Sequence, residues 1–553
     1  MPRSAMMLLL MVLTATMVWA GDGEWTSGDC KVTLVSGELT VSGSGRMADY
    51  YIPESREWAF EKASISKIII GPDVTYIGDN TFCDLPYLTE VDFSGATSLH
   101  RIGMYSFAHN TGLNSIELPE KLDTIGQHTF EECTELKHIG IPASVTGIGN
   151  HAFRNCSSLT SVTIPAATTR ILDYTFSGCT KLATVTFAEG SKLDVIAEYA
   201  FENTGLTSID IPASLTNIGL EAFVNCPALT AINIAPENTN YTSIEGVVFY
   251  MDNTYLYIYP AGKPDTNYEI PSTVEVVSTS AFKGCTTLTS VTFPDGLHVI
   301  AGEAFAGCTG LTTVTCPSSL TAFGELAFAN CSNLATVTLN SNPQFDRPNI
   351  FDGIKEDAIV KMNLPGIKVG DDDWIDFHCC AYSFEAEDDT KIFKGELTDD
   401  AVLLTELTAD KIVPSNNGVL LKKTSTGNIV LKLTSATSGN DFSNNSLKGE
   451  DYPVTGFGNY YMFDNRAEGF GFFKITPNQR IEIGHVYFTY TSTGEDPAPE
   501  WFPVSAVATG IDVLRIETLS GKHAAFDLQG RRLSVSPSRK SIIVSDGRKF
   551  FAR

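Results

Sequence analysis

One phenylalanine-centred unit, recurring about every 23 residues, constrains this 553-residue chain more than any other feature. Its clearest copies read HAFRNCSSLTSVTIP (151–165), EAFVNCPALTAINIAP (221–236), SAFKGCTTLTSVTFP (280–294) and EAFAGCTGLTTVTCP (303–317). The repeating ring is expected at Phe60, Phe82, Phe107, Phe130, Phe153, Phe176, Phe201, Phe223, Phe282, Phe305, Phe328 and Phe351. Eight of the eleven intervals are 22 or 23 residues and two are 25, so the register holds along the stretch. The exception, 59 residues between Phe223 and Phe282, marks an enlarged unit.

Each unit has a physical reading. Leu159, Val162 and Ile164 alternate with polar Ser161 and Thr163, the periodicity of a strand with one buried face. Pro165 ends the strand, because it donates no ladder hydrogen bond. The following V-T-x-I-G, as in Val145–Gly149, closes on a glycine expected to turn the chain with unusual dihedrals. Ala-Phe then places a ring inside the coil. No unit of this size buries its apolar face alone, so the units must stack. With paired strands about 4.7–4.9 Å apart, eleven or twelve coils would extend roughly 55 Å. The expected fold is mainly β: a solenoid over 58–352, preceded by a β cap at 21–57 whose KVTLVSGELTVSGSGRMADY closes the open end. Within the enlarged unit, 240–271, Val247–Tyr250 and Tyr255–Tyr259 read as a hairpin around Asp252-Asn253.

The pattern A-F-x-x-C-x-x-L-x-x-[IV]-x-[ILF]-P-x-x-[LV]-x-x-[IF]-G resembles the BspA-like leucine-rich repeat, over about residues 30–352. GELTVSGSGRMADY is similar to the lead-in that precedes such repeats in bacterial surface proteins, and NYTSIEGVVFY with YPAGK to a variant unit of the family. The resemblance implies a surface-exposed or secreted protein used in adhesion, host-matrix binding or co-aggregation. It implies a protein or extracellular-matrix ligand, fibronectin being one reported for the family, without fixing which.

The flanking segments suggest export. MPRSAMMLLLMVLTATMVWA (1–20) combines Arg3, an apolar run and a small-residue cleavage site, the layout of a signal peptide; the run is short of the ~20 residues a membrane span needs. No transmembrane segment is expected in the mature chain, which is placed at the outer surface or beyond. Residues 353–500 open acidic and continue in short β-like runs with Asn-Gly turns, an expected all-β domain. Its VPSNNGVLLKK and FGFFKI segments resemble a β module of exported Bacteroidetes proteins. The tail, 501–553, turns basic: HAAFDLQGRRLSVSPSRKSIIVSDGRKFFAR resembles the sorting segments read by the type IX secretion system, with Ser541 and Asp546 where Gly and Asn are usual. A β-hairpin is expected there.

Chemistry is sparse. A net charge of −27 opposes nucleic-acid binding. Neither H-E-x-x-H, nor G-x-S-x-G, nor a P-loop is present, so no enzyme activity and no cofactor is expected. Asp371-Asp372-Asp373 and Glu385–Asp389 lack the turn Gly and distal Glu of a calcium loop and read as solvated acidic loops. Seven of the twelve cysteines stand three residues after a repeat Phe, where a buried small side chain is the expected role rather than a metal or disulfide ladder. Cys379-Cys380 leaves a bridge to Cys30 or Cys83 open. His109, His128, His138 and His151 are assigned to differing positions of the unit and are not expected to cluster. The candidate binding residues are therefore polar ones on the solvent side of the strands, namely Glu90, Asp92, Glu117, His138 and Asp210. Tyr255, Tyr257 and Tyr259 join them as alternating aromatics on the hairpin, either interface anchors or core. The expected function is a non-enzymatic interaction or adhesion protein. The alternative is glycan or nutrient capture through the C-terminal β domain.

Overall fold

The computed structural model describes residues 23–449 apart from 346–348, 370–371, 380–381, 398–401 and 426–427, and beyond them a set of strand segments up to Arg548–Phe551. The expected signal peptide, much of the expected tail and Cys380 lie outside the described residues. Among those described, regular structure is β throughout apart from two short 3-10 turns at Pro53–Ser55 and Ala59–Glu61.

The described residues begin with antiparallel strands Gly23–Ser27, Cys30–Val35 and Glu38–Gly43, the last two turned tightly through Ser36 and Gly37, both at positive φ. Val32, Leu34, Leu39 and Val41 alternate inward and are fully buried. Glu38–Gly43 then pairs in parallel with Lys67–Ile70, which pairs in parallel with Glu90–Asp92. This third strand converts an antiparallel start into a parallel stack.

From there each coil has three sides. Around Phe153, the first strand Ser161–Ile164 lies in register with Thr184–Phe187 of the next coil, and the second strand Arg170–Ile171 with Val195–Ile196. The prolines between these sides do two jobs: they end the first strand, and their carbonyls accept the turn hydrogen bond, as in Val145 N–H to Pro142 O at 3.1 Å. The third, turn side is also laddered. Tyr105, Phe107 and His109 donate their N–H groups to Gln127, Thr129 and Glu131 of the following coil at 2.7–2.9 Å. The glycine of I-G needs no unusual dihedral, contrary to expectation; its φ is not positive. Its role is close approach: a Cβ on Gly149 would lie 2.5 Å from Gln127 N of the neighbouring coil.

Inside, the rings stack from Trp58 through Phe82 to Phe223 with centroids 5.3–6.2 Å apart. They resume from Tyr259 through Phe282 to Phe351. Two corrections follow. Phe60 is 91% exposed, and Trp58, fully buried against Phe82, takes the first ring position. Tyr259, 23 residues before Phe282, supplies a ring inside the 59-residue interval. The solenoid thus has thirteen rings and thirteen coils rather than eleven or twelve.

The cysteines line this core. The thiols of Cys133, Cys156, Cys179, Cys226, Cys308 and Cys331 each point at the carbonyl of the repeat Phe one coil earlier, at 3.0–3.2 Å. Asn110 bonds Phe82 O from the same position at 2.9 Å. The site wants a small donor for a buried carbonyl, and a weak S–H suffices. Burial pushes the Cys133 and Cys179 thiols up to about 12. Cys30 and Cys83 are unbridged, as are the repeat cysteines.

By contact clustering one compact unit runs to Val314 and includes 324–335 and 349–356, so it holds every stacked ring described above; a second holds 315–323, 336–348 and 357 onward. In the second, Thr336–Leu339 pairs in parallel with Ile359–Leu364, which pairs antiparallel with Ile429–Thr434. Strand polarity therefore changes at Ile359. A second antiparallel array joins Asp372–Phe377, Val419–Lys423, Thr390–Leu397 and Val402–Leu407. Far along the chain, Ile542–Ser545 and Arg548–Phe551 form a hairpin.

Candidate functional site

The strand-side residues face solvent but do not converge. Glu90 is exposed and pairs with Lys67 at 2.8 Å. Glu117 pairs with His138 Nε2 at 3.0 Å, both more than half exposed. Asp92 accepts the Ser94 N–H at 2.8 Å, and its bonds to Ser94 hold its carboxyl low. Asp210 accepts from Asn233 at 2.8 Å, separated from Glu117 by the coils carrying Gly140, Thr163 and Thr186. Glu90, Glu117 and Asp210 are each answered from an adjacent coil, the pairing expected of in-register strands, whereas Asp92 is answered within its own coil.

The expected hairpin is present in the enlarged unit, Val247–Tyr250 against Tyr255–Ile258, and a third strand joins it. Tyr241–Ile244, Val247–Tyr250 and Tyr255–Ile258 form three antiparallel strands, the first turning through Glu245 and Gly246 at positive φ, and the last rejoins the parallel stack at Val276–Val277. Tyr257 and Tyr259 are buried, at 7% and 3% exposure, so neither offers itself to a partner; Tyr255 is half-buried. Their role is internal. Strand Asn217–Ile218 ends its ladder where the enlarged unit begins. Ile218 N–H there donates to the Tyr241 hydroxyl at 3.1 Å, and Ile218 O accepts from the Tyr257 hydroxyl at 2.6 Å. Two phenols replace the backbone of a missing strand. Tyr259 donates to Asp265 at 2.8 Å, and burial together with that carboxylate pushes its phenol far up.

The turn side carries a feature with no counterpart among those expectations. Two residues before ten of the thirteen rings the backbone is left-handed, φ 54–59°, at Asn80, Tyr105, His128, His151, Tyr174, Tyr199, Glu221, Ser280, Glu303 and Leu326. A second left-handed column, two residues after the ring, is filled mostly by Asn and Gly: Asn155, Gly178, Asn203, Asn225, Gly284, Gly307, Asn330, Gly353. Those residues suit the geometry; a bulky ring there costs about 1–2 kcal/mol. Yet the first column holds five rings in succession, Tyr105, His128, His151, Tyr174 and Tyr199, stacked at 4.2–4.9 Å with interplanar angles of 8–17°. Stacking returns about 0.5–1.5 kcal/mol per pair, enough to offset most of the strain. All five are half-buried. Their faces cover one another and their edges remain for a partner, which disfavours sugar stacking along the column and favours contact with hydroxyl and imidazole tips. His128 and His151 were expected not to cluster, but both stand two residues before a ring and lie 4.4 Å apart. Reading that single position down the units would have revealed the column.

Charged groups surround it. His128 Nδ1 lies 2.7 Å from Glu131, which also meets Arg154 at 3.1 Å. His151 Nδ1 and Arg154 Nε are buried without a hydrogen-bond partner. Burial, then neighbouring His128, lowers the proton affinity of His151. Tyr199 is pushed up to about 12, by burial and then by Glu221. Beyond Tyr199, Glu221 spans the enlarged unit by accepting from Ser280 at 2.6 Å and Lys283 at 2.8 Å; Lys283 also reaches Glu303 at 2.6 Å. Burial alone would raise the Glu221 carboxyl, but these donors outweigh it and hold it low. Next to this bridge lies a hollow of about 230 Å³ floored by Gly284 and Gly307. Among the described residues no group of His, Cys, Asp or Glu is arranged to hold a metal ion, and no helix is long and apolar enough to cross a membrane.

Comparison with known proteins bears on the repeat directly. The BspA type leucine rich repeat region matches in six copies, over residues 53–183, 146–261 and 261–369, more than half of the chain. No curated protein matches. Among solved structures, the chain is similar to a leucine rich cell surface protein from Faecalibacterium prausnitzii A2-165, with 25% identity, a TM-score of 0.44, and coverage of 62% of this chain and 95% of that one. It is also similar to a leucine-rich repeat protein from Bacteroides ovatus ATCC 8483, with 22% identity, a TM-score of 0.40, and coverage of 59% and 91%. The pneumococcal vaccine antigen PcpA matches at 19% identity and a TM-score of 0.36, over 61% and 86%.

Proposed function

The chain belongs to the BspA-type leucine-rich-repeat family, and on that premise we propose that it is a non-enzymatic interaction protein, exported to the cell surface or beyond, whose solenoid binds a protein partner in adhesion. A host-matrix component or the surface of another cell is the class of partner. The N-terminal leader supports export, and the basic tail with its sorting-like DLQGRR supports delivery to the outer surface. The observation that carries the binding role is the turn-side column: five aromatic residues in succession occupy a strained position that the same coil fills elsewhere with Asn, Ser, Glu or Leu. Tyr is the residue type that contributes most contact area to interfaces at low entropic cost. The strand-side polar residues Glu90, Asp92, Glu117, His138 and Asp210 form a secondary surface, to which the half-buried Tyr255 of the hairpin adds an aromatic group.

The test uses beads coated with the full mature chain, applied to immobilised matrix proteins and to partner cells. Attachment above that of bare beads is expected, and it should fall sharply when Tyr105, His128, His151, Tyr174 and Tyr199 are replaced by Asn. Beads that adhere no better than bare ones would remove the role; adhesion unchanged by the Asn variant would move the site to the strand side.

A further inference from the structure

The charges along the aromatic column are lopsided. Tyr174 feels Glu202, Glu198 and Asp173, with Arg154 alone opposing them. Glu221 lies close enough to Tyr199 to raise its phenol. The bases nearby are already committed: Arg154 to Glu131 at 3.1 Å, Lys283 to Glu221 and Glu303. Among the described residues no ion pair joins Asp173, Glu198 or Glu202 to a base, and Glu198 is exposed. The column is therefore a row of ring edges bordered by carboxylates without counterions. Its rings advance by 4.2–4.9 Å per coil along the stack, so its recognisable dimension is linear.

From this we infer that the column docks an extended segment of a partner protein rich in lysine and arginine. The inference rests on the interaction role proposed above and names the chemistry of the partner. Ammonium and guanidinium groups would pair with Asp173, Glu198 and Glu202 while their alkyl stems lie across the ring edges, the way long basic side chains cover apolar surface. Tyrosine hydroxyls held protonated, as at Tyr174 and Tyr199, supply further donors and acceptors. An acidic or polyanionic partner would meet the same carboxylates in repulsion.

The experiment titrates the full mature chain with a fluorescent oligolysine peptide, with oligoglutamate as control. Saturable oligolysine binding that weakens with added salt is expected. Two variants should weaken it by roughly tenfold or more: a ridge variant with Tyr105→Asn, Tyr174→Asn and Tyr199→Asn, and a margin variant with Asp173→Asn and Glu198→Gln. Asn is at home in left-handed backbone, so the ridge variant is expected to fold, as circular dichroism would confirm. A strand-side control at residues outside both proposed surfaces, Glu38→Gln with Glu269→Gln, both exposed, should bind as the unaltered chain does. Equal affinity in the ridge variant, or equal weakening in the strand-side control, overturns the inference, since attraction would then be to net charge alone. Coated beads that adhere to their target while oligolysine fails to compete also overturn it, leaving the adhesive role standing.

Discussion

Single residues in this chain solve problems that stacking creates. The Trp58 coil has a 3-10 turn on this side, and no backbone N–H of its described residues reaches Thr81 O or Cys83 O of the Phe82 coil, the acceptors that later coils satisfy from the coil before. Arg56, 2% exposed, fills the gap: its guanidinium donates to Thr81 O at 3.0 Å, Cys83 O at 2.8 Å and Asn80 O at 3.2 Å. Replacing it by Met keeps the volume but orphans those acceptors. Arg56→Met should cost about 2–4 kcal/mol in chemical denaturation, from buried polar groups left unmade; a loss under 0.5 kcal/mol would show water doing the same work. His151 sets a pH dependence. Its proton affinity in the fold is lowered, so between the folded value and the unfolded value of about 6.5 the unfolded chain binds more protons. Its contribution to stability is complete above that unfolded value and is lost as pH falls through the folded one. The melting temperature should drop on acidification from neutral pH to about 5, and His151→Asn should flatten that drop. An equal drop in both proteins would assign the effect to other groups.

At the scale of the element, the enlarged unit shows how a solenoid tolerates a break. Side chains stand in for backbone where the second-side ladder stops at Ile218. Tyr241→Phe strands the Ile218 N–H, and Tyr257→Phe strands its carbonyl; each should cost about 1–3 kcal/mol. The Ile218 amide should exchange markedly faster with solvent in Tyr241→Phe than in Tyr257→Phe, since only the former removes its acceptor. Equal exchange in both would mean that the strand end opens as one piece. The turn-side column is an element of another kind, in which backbone strain and ring stacking nearly cancel. Tyr174→Asn should therefore change stability by no more than about 1 kcal/mol in either direction, measured by urea titration, although it removes a large side chain.

For the molecule as a whole, the ring stack divides into Trp58–Phe223 and Tyr259–Phe351. Coils couple only to neighbours, so cooperativity is weakest where neighbours share least. Unfolding should show two transitions. Phe130→Ala should lower only the one from the earlier coils and Phe305→Ala only the other, by about 3–5 kcal/mol each. A single transition moved by both would show that the Glu221–Lys283 bridge and the tyrosine caps keep the stack whole.

The repeat, its parallel strands and its buried rings were legible from sequence, because a periodic pattern of apolar residues has one economical way to bury itself: against its own next copy. Local identity misled where two residues compete for one place. Phe60 matches the period, yet Trp58 fills the core, since which ring turns inward at the first coil depends on the cap packed over it. Tyr259 was hidden by its hydroxyl, which the coil accommodates through Asp265. Gly149 looked like a turn residue, but the nearness of Gln127 in the preceding coil explains it. The turn-side column escaped for a related reason. Its members are chemically dissimilar, Tyr beside His, and 23 or 25 residues apart; only coiling the chain brings them within 5 Å of one another. Sequence alone determined that the chain would stack, because burial within a unit is a local property. The faces it offers a partner were decided by tertiary structure, because a surface of this kind is assembled from one residue per coil, and register between coils is set by the packing of all of them together.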